Sequence, residues 1–310
     1  MKALLFPGQG SQIVGMGSDF FNKYNLVKKI FKQADDKLNF KLSDIILNGP
    51  KEKLQLTQIT QPAIFTVSYS IFKALKEELG IEIDSFKYFA CHSLGEYSAL
   101  ACSNSISFED GLYLLNERGK AMQDAVPVGK GMMLAIIGVE INKIEEILKN
   151  NSEKGVCEIA NDNSEGQVIV SGEKVKVSKL QKILKDKSIR SLPLPVSAPF
   201  HCSLMKGAAE SLKSKVINTN FVKPLVNIIS NVTAQPEYEP ERIKELLITQ
   251  IYSKVRWRES MIYMAENKVK DFVEIGPGKV LTGLTKRILP DTNCFSINSI
   301  DDIKKYNNES

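Results

Sequence analysis

Ser93 lies in YFACHSLGEYSAL (88–100), where an apolar run ends, small residues flank the serine and a helical spacing resumes. A serine on such a strand-to-helix turn sits in a strained backbone conformation with its hydroxyl outward, the arrangement of a nucleophile elbow. The usual form is G-x-S-x-G. This chain reads C-x-S-x-G, with Cys91 at the first small position and Gly95 at the second. By pattern alone a plain strand-to-helix turn fits as well. A serine hydroxyl is a weak nucleophile until a base takes its proton, and the chain has 2 histidines. His92 adjoins Ser93 and is expected to point away from it and pack against the sheet. His201, in SAPFHCSLMKGAAESL, precedes a helical periodicity through Met205, Ala208, Ala209 and Leu212, and the dipole at a helix start favours the neutral imidazole a base requires.

The same chemistry needs donors for an oxyanion. The peptide N–H of Leu94, at the helix N-terminus behind Ser93, is one candidate. That of Gln9 is another, in the loop FPGQGSQ, where Gly8 and Gly10 permit close backbone approach. A structural turn fits this loop too. A nucleotide-phosphate loop does not, because GQGSQI lacks the third glycine of G-x-G-x-x-G and the lysine of a P-loop.

These residues must be held by a scaffold. The first 125 or so residues alternate short apolar strands with amphipathic helices, which argues for a parallel sheet covered by helices. After VPVGKG the order changes to strand, helix, two strands around NSEG, helix and strand, ending at IRSLPLPV. That β-α-β-β-α-β order is ferredoxin-like. The expected architecture is therefore α/β, with a discontinuous core over 1–126 and 198–310 and an inserted α+β unit over 127–197. EIGPGKVLTGLTKRI reads as strand, structural turn and helix, and the polar tail SIDDIKKYNNES is expected to fray.

Composition narrows the classes. With 310 residues, 43% hydrophobic and 25% charged, the chain is an ordinary globular protein rather than a disordered one. The net charge of +5 is spread over Lys-rich segments, so solvated helix faces are expected and neither nucleic acid nor membrane is an expected partner; a basic surface for an acidic protein stays open. Cys91, Cys102, Cys157, Cys202 and Cys294 are too scattered for a disulfide framework or zinc site. Pro7 and Gly8 interrupt the N-terminal apolar run, and no stretch approaches the roughly 18 apolar residues of a membrane span. A cytoplasmic protein is expected.

Seven segments in order, FPGQGSQ, HSLGEYSAL, NERGKAMQ, NDNSEGQVIVSG, PFHCSLM, VRWRES and EIGPGKVLTGL, resemble the malonyl-CoA:acyl-carrier-protein transacylase family of fatty-acid synthesis. The resemblance implies a hydrolase-like α/β core with a ferredoxin-like insertion. It also implies that Ser93 is the nucleophile, His201 the base, and Gln9 and Leu94 the oxyanion donors. A backbone carbonyl at Gln250 would accept from the other His201 ring nitrogen, giving a dyad without a carboxylate. The family often has S-P-V-x-W near this point; SKVRW carries Lys254 instead, which removes the restraint of a proline.

Arg118 follows a helix start at which Ser107 and Asp110 form a capping box, and it borders the stripe Leu112, Leu115, Gly119 and Met122. Periodicity alone allows an ordinary snorkelling arginine. The resemblance implies a fork for the free carboxylate of malonate, with Phe200 limiting acyl size and Asn161 near the site, although a hairpin cap fits Asn161 equally. It implies no metal or permanently bound cofactor, malonyl-CoA as donor, an acidic phosphopantetheinyl acyl carrier protein as transient partner and ping-pong transfer; a monomer is expected separately. The alternatives are a serine hydrolase or thioesterase with the same elbow and base, and a non-catalytic scaffold that needs neither.

Overall fold

The computed structural model describes every residue except 81, 83, 84, 152, 153, 197 and 310. Strand β1 (Lys2–Phe6) leads into helices α1 (Ser18–Lys23), α2 (Asn25–Leu38), α3 (Leu42–Asn48), α4 (Lys51–Leu54) and α5 (Thr57–Leu79). β2 (Phe86–Cys91), α6 (Gly95–Cys102) and α7 (Phe108–Asp124) follow. The middle of the chain runs β3 (Gly131–Ile137), α8 (Ile141–Asn150), β4 (Cys157–Ser164), β5 (Gln167–Glu173), α9 (Lys174–Asp186) and β6 (Arg190–Pro193). The remainder comprises α10 (Lys206–Asn218), β7 (Asn227–Ile229), β8 (Pro236–Glu237), α11 (Pro240–Gln250), α12 (Trp257–Glu266), β9 (Asp271–Ile275), α13 (Val280–Ile288), β10 (Asn293–Ile297) and α14 (Ile300–Glu309).

The expected α/β class is what forms. One sheet has the order β10-β9-β1-β2-β7-β8, parallel apart from the last pair. Its central strands β1 and β2 carry buried apolar residues on both faces, as a covered parallel sheet requires. Leu4, Phe6 and Phe89 join a core with α2, α5, α6 and α7, whereas Ala3, Leu5, Tyr88 and Ala90 pack with residues of α12 and α13. The second sheet is antiparallel, in the order β4-β5-β3-β6. Leu134 and Ile136 face α8 and α9, while Met133 and Ala135 turn to the main core. The sequence-derived boundary at 197 falls on a residue outside the described ones.

Two helices of the main unit need an explicit account because they carry the site. Pro62 lies inside α5 and lacks the N–H that would bond the Gln58 carbonyl. The Asn116 side chain of α7 donates to that carbonyl at 3.1 Å. At the same crossing Gly119 brings α7 against α5: a Cβ there would meet the Gln58 Cα at 2.5 Å and the Thr57 carbonyl oxygen at 2.8 Å.

The tail departs from expectation. It forms α14, because Ser299 and Asp302 cap its start reciprocally, at 2.9 Å and 3.3 Å, and Asp19 accepts the Ile300 N–H at 2.7 Å. Tyr306 is buried, its ring edge-on to Phe295. The GPG turn is structural, as read from sequence: the buried Glu274 carboxylate accepts from the Leu281 and Thr282 N–H groups and fills the N-terminus of α13. Among the described residues no helix is long and apolar enough to cross a membrane.

Gly119→Ala tests the helix crossing. Alanine favours a helix by about 1 kcal/mol over glycine, but overpacking against backbone costs roughly 1–3 kcal/mol. Because both atoms met are backbone, the clash is expected to win, lowering the urea midpoint with an unchanged slope; a higher midpoint would contradict the tight crossing.

Candidate active site

Parallel pairing sets the elbow. β2 lies between β1 and β7, so the loop after β7 emerges beside the end of β2. There the chain turns within three residues: His92 N–H bonds the Phe6 carbonyl at 3.1 Å, and Gly95 N–H bonds the His92 carbonyl at 3.0 Å. Ser93 takes φ 52°, a left-handed conformation that costs a non-glycine residue about 1–2 kcal/mol. Asn231 holds it there, accepting the Ser93 N–H at 2.6 Å and donating to the Cys91 carbonyl at 2.7 Å. Gly95 is required because a Cβ would meet the Phe6 carbonyl oxygen at 2.3 Å. Cys91 fits without crowding; its thiol is buried and directed to the Ile229 carbonyl at 3.7 Å.

His201 comes from the segment after the antiparallel sheet and is also left-handed, at φ 59°. Its Nε2 lies 2.8 Å from Ser93 Oγ, and its Nδ1 lies 2.9 Å from the Gln250 carbonyl oxygen. A carbonyl only accepts, so Nδ1 carries the hydrogen and Nε2 is free to accept from the serine hydroxyl. Glu158 of β4 anchors the following residues, accepting from Ser203 N–H at 2.8 Å and from its hydroxyl at 2.5 Å. His201 does not open a helix, so no helix dipole keeps its imidazole neutral. A 3₁₀ turn (Ser203–Met205) intervenes before α10, and burial first, then the Arg118 charge, push the His201 pKa down to about 3.

Arg118 is fully internal, at 1% exposure, rather than at the margin of its helix. The Ser107–Asp110 box does cap that helix, Asp110 N–H bonding Ser107 Oγ at 3.0 Å. The guanidinium donates to Gln61 Oε1 at 2.8 Å, Gln250 Oε1 at 2.8 Å and Ser93 Oγ at 3.1 Å, and its Nε has no partner. All these acceptors are uncharged. The serine oxygen thus stands between an acceptor that can take its proton and a cation that stabilises the resulting negative charge.

Gln9, Ser93, Leu94, Arg118, Asn161, Phe200 and His201 line one cleft of about 450 Å³, and Gln250 lies fully buried behind it. The sequence candidates therefore converge. Asn161 stands within β4, pairing with Val255, and not at the hairpin turn where a cap would be needed. His92 turns away from the serine, its Nε2 2.9 Å from Asn163 Oδ1 and its ring 6.2 Å from that of Trp257. The loop with Lys254 is held despite the missing proline: Val255 N–H bonds the Ala160 carbonyl at 2.8 Å, and Asp162 N–H bonds the Val255 carbonyl at 3.0 Å.

Sequence reading missed Gln61, Glu96 and Asn231. Glu96 lay within a quoted motif, but a glutamate at the start of a helix ordinarily faces water. Here it is 3% exposed, and burial raises its pKa to about 7. Asn231 and Gln61 carry no local signal, since their partners are distant in the chain.

A model for the acyl transferase domain matches residues 3–306. The malonyl CoA-acyl carrier protein transacylase of Haemophilus influenzae is 43% identical over 302 residues, 96% of this chain and 95% of that one. The crystal structure of an acyl-carrier-protein-S-malonyltransferase from Bartonella henselae superposes with a TM-score of 0.96 at 42% identity, covering 99% and 98% of the two chains. A malonyl-transacylase solved in complex with its type II PKS acyl-carrier protein gives a TM-score of 0.96 at 38% identity, covering 100% and 99%.

The depressed His201 pKa yields a pH test. Burial weakens proton binding, so the neutral base persists as pH falls through about 6.5, the ordinary imidazole value. Labelling of Ser93 by a fluorophosphonate, followed by intact mass, is expected to stay level down to about pH 5; a half-loss near 6.5 would contradict the buried environment.

Proposed function

This chain belongs to the acyl transferase domain family, and on that premise we propose that it transfers a malonyl group from malonyl-CoA to the phosphopantetheine thiol of an acyl carrier protein, supplying the extender unit for fatty-acid synthesis. The observation that carries this reading is Arg118, a fully buried cation with only uncharged acceptors, directed at the serine oxygen. A buried charge with no carboxylate in contact is costly, Glu96 acting on it only from beyond hydrogen-bond reach, so the site favours an acyl group that brings its own carboxylate.

Ser93 is the nucleophile and His201 the base. His201 Nε2 takes the hydroxyl proton as Ser93 Oγ attacks the thioester carbonyl. The peptide N–H groups of Gln9 and Leu94 receive the oxyanion, each such donor contributing about 2.7–4 kcal/mol of transition-state stabilisation. Collapse expels the CoA sulfur, which takes the proton from His201, and a malonyl-serine ester remains. The pantetheine thiol then gives its proton to His201 and attacks the ester; Ser93 recovers the proton as it leaves. The Gln250 carbonyl keeps the imidazole in the correct tautomer throughout.

Arg118 has two effects. Its fork binds the malonyl carboxylate through charge-assisted bonds, each worth about 1.5–3 kcal/mol. Its charge also adds to the larger effect of burial in weakening His201 as a base, and the carboxylate offsets that smaller part when a dicarboxylic acyl group is bound. Phe200 and Asn161 bound the acyl pocket.

The enzyme works as a cytoplasmic monomer without a permanently bound cofactor, its core formed by 1–126 and 198–310 and its second unit by 127–197. The acidic carrier protein docks transiently. Supporting the docking, a relative of the same fold was solved in complex with an acyl-carrier protein.

Mixing with malonyl-CoA is expected to give a persistent acyl adduct on Ser93 by intact mass, discharged by holo-carrier protein. Rapid release of free malonate would indicate a hydrolase instead, and an absence of labelling a scaffold. Arg118→Ala is expected to lower malonyl transfer by about a hundredfold or more, with a relative gain for acetyl; equal losses on both would defeat the carboxylate fork.

A further inference from the structure

Gln250 serves the site twice. Its backbone carbonyl holds His201, while its side chain donates from Nε2 to the Ser93 carbonyl at 3.0 Å and to Glu96 Oε2 at 2.5 Å, and accepts at Oε1 from Arg118 at 2.8 Å. The two ends of a carboxamide have nearly the same shape and opposite hydrogen-bonding character. Turned over, Gln250 would set its NH₂ against the guanidinium, donor against donor, and its oxygen against a carboxylate. Arg118, which can only donate, and the Ser93 carbonyl, which can only accept, favour the observed sense, and a charged acceptor at Nε2 would strengthen it.

Glu96 is the group equipped to do so. It lies in the first turn of α6, just after the elbow, is 3% exposed, and its carboxylate meets the Gln250 amide and, at 3.4 Å, the Asn231 N–H. An ionised carboxylate can only accept, and charge-assisted bonds are about twice as strong as neutral ones. We infer that Glu96 is a positioning residue for acyl-group selection: its ionised carboxylate fixes the orientation of the Gln250 side chain, which in turn aims Arg118 at the carboxylate of the acyl group. The inference rests on the malonyl reading above and deepens it.

A competing effect has the opposite sign. Glu96 is also an anion near Arg118, so its charge competes with that of the substrate. If charge dominated, neutralising Glu96 would tighten malonyl binding; if orientation dominates, the same change weakens it. The direction of the response therefore separates the two.

Protonation provides a second handle. The ionisable groups facing Glu96 are Arg118 from α7, which favours its charge, Glu237 from β8, which opposes it, Cys91 at the end of β2, and Tyr97 beside it on α6. Burial raises both Cys91 and Tyr97, keeping them neutral, and His201 lies near 3, so Glu96 is the group of this set that changes state near pH 7. Below that pH it becomes a neutral acid able to donate, and its hold on the sense of Gln250 weakens, leaving the Arg118 and Ser93 bonds to maintain it.

The test compares Glu96→Gln with the unaltered enzyme in transfer from malonyl-CoA and acetyl-CoA to holo-carrier protein, between about pH 6 and 8.5. Expected is a malonyl KM about tenfold higher in the variant with kcat changed less, and a malonyl-to-acetyl preference reduced by a similar factor. In the unaltered enzyme the malonyl KM rises as pH falls through about 7, a rise missing from the variant. An unchanged or lower malonyl KM in Glu96→Gln overturns the inference, as does an equal loss on both substrates. If the variant does not fold, a flat malonyl KM across the same range in the unaltered enzyme overturns it. Should the unaltered enzyme show no preference for malonyl over acetyl, it is the malonyl reading that fails.

Discussion

The constraint on which everything else depends is a serine kept in a left-handed conformation with its oxygen between an imidazole nitrogen and a guanidinium. Left to itself the backbone of Ser93 would relax, since strain of this kind costs on the order of 1–3 kcal/mol. The surroundings oppose that. The Asn231 side chain bonds the two consecutive peptide groups that lead into Ser93, and Gly95 lets α6 approach the end of β1 more closely than any larger residue could. Each hydrogen bond contributes a net 0.5–1.5 kcal/mol, about the scale of the strain it offsets. The parallel register of β1, β2 and β7 brings these three strand ends to one edge of the sheet, where the turn is made.

A buried arginine is the second unusual expense of this fold. Arg118 is compensated by the dipoles of two glutamine side chains and a hydroxyl rather than by a contacting carboxylate. Burial lowers its pKa, yet a guanidinium stays protonated across the physiological range. The result is a standing positive potential at the Ser93 oxygen. In the proposed reaction that potential selects the acyl group and also adds to the burial that weakens the His201 base, a part that the acyl carboxylate offsets on arrival. The close crossing of α5 and α7 at Gly119, with Asn116 bonding the carbonyl freed by Pro62, keeps Gln61 and Arg118 in register.

Much of this was legible in local sequence. Strand and helix periodicities, the β-α-β-β-α-β order of the second sheet and the turn around Ser93 depend on residues a few positions apart, and such spacings survive in a linear reading. Arg118 was legible as a helical residue but not as a buried one, because an arginine at a stripe's edge has the same pattern whether it reaches solvent or an inner cleft. The tail was misread for a related reason. Its polar composition suggested fraying, whereas Asp19, 281 residues away from Ile300, supplies a bond to its first turn. Glu96 looked like an ordinary first-turn acid, and its burial depends on α11 and the loop after β7 closing over it.

By itself the sequence determined the alternation of elements, the half-matched elbow and the identity of the two histidines, since these rest on residue type and short-range spacing. The tertiary structure alone decided that His201 meets Ser93 across 108 positions, that Gln250 serves both imidazole and guanidinium, and that Asn231 secures the turn. The physical reason is the same in each case. Hydrogen bonds of about 3 Å between distant segments exist only once strand register and helix packing have fixed where those segments lie, and neither composition nor periodicity encodes that distance.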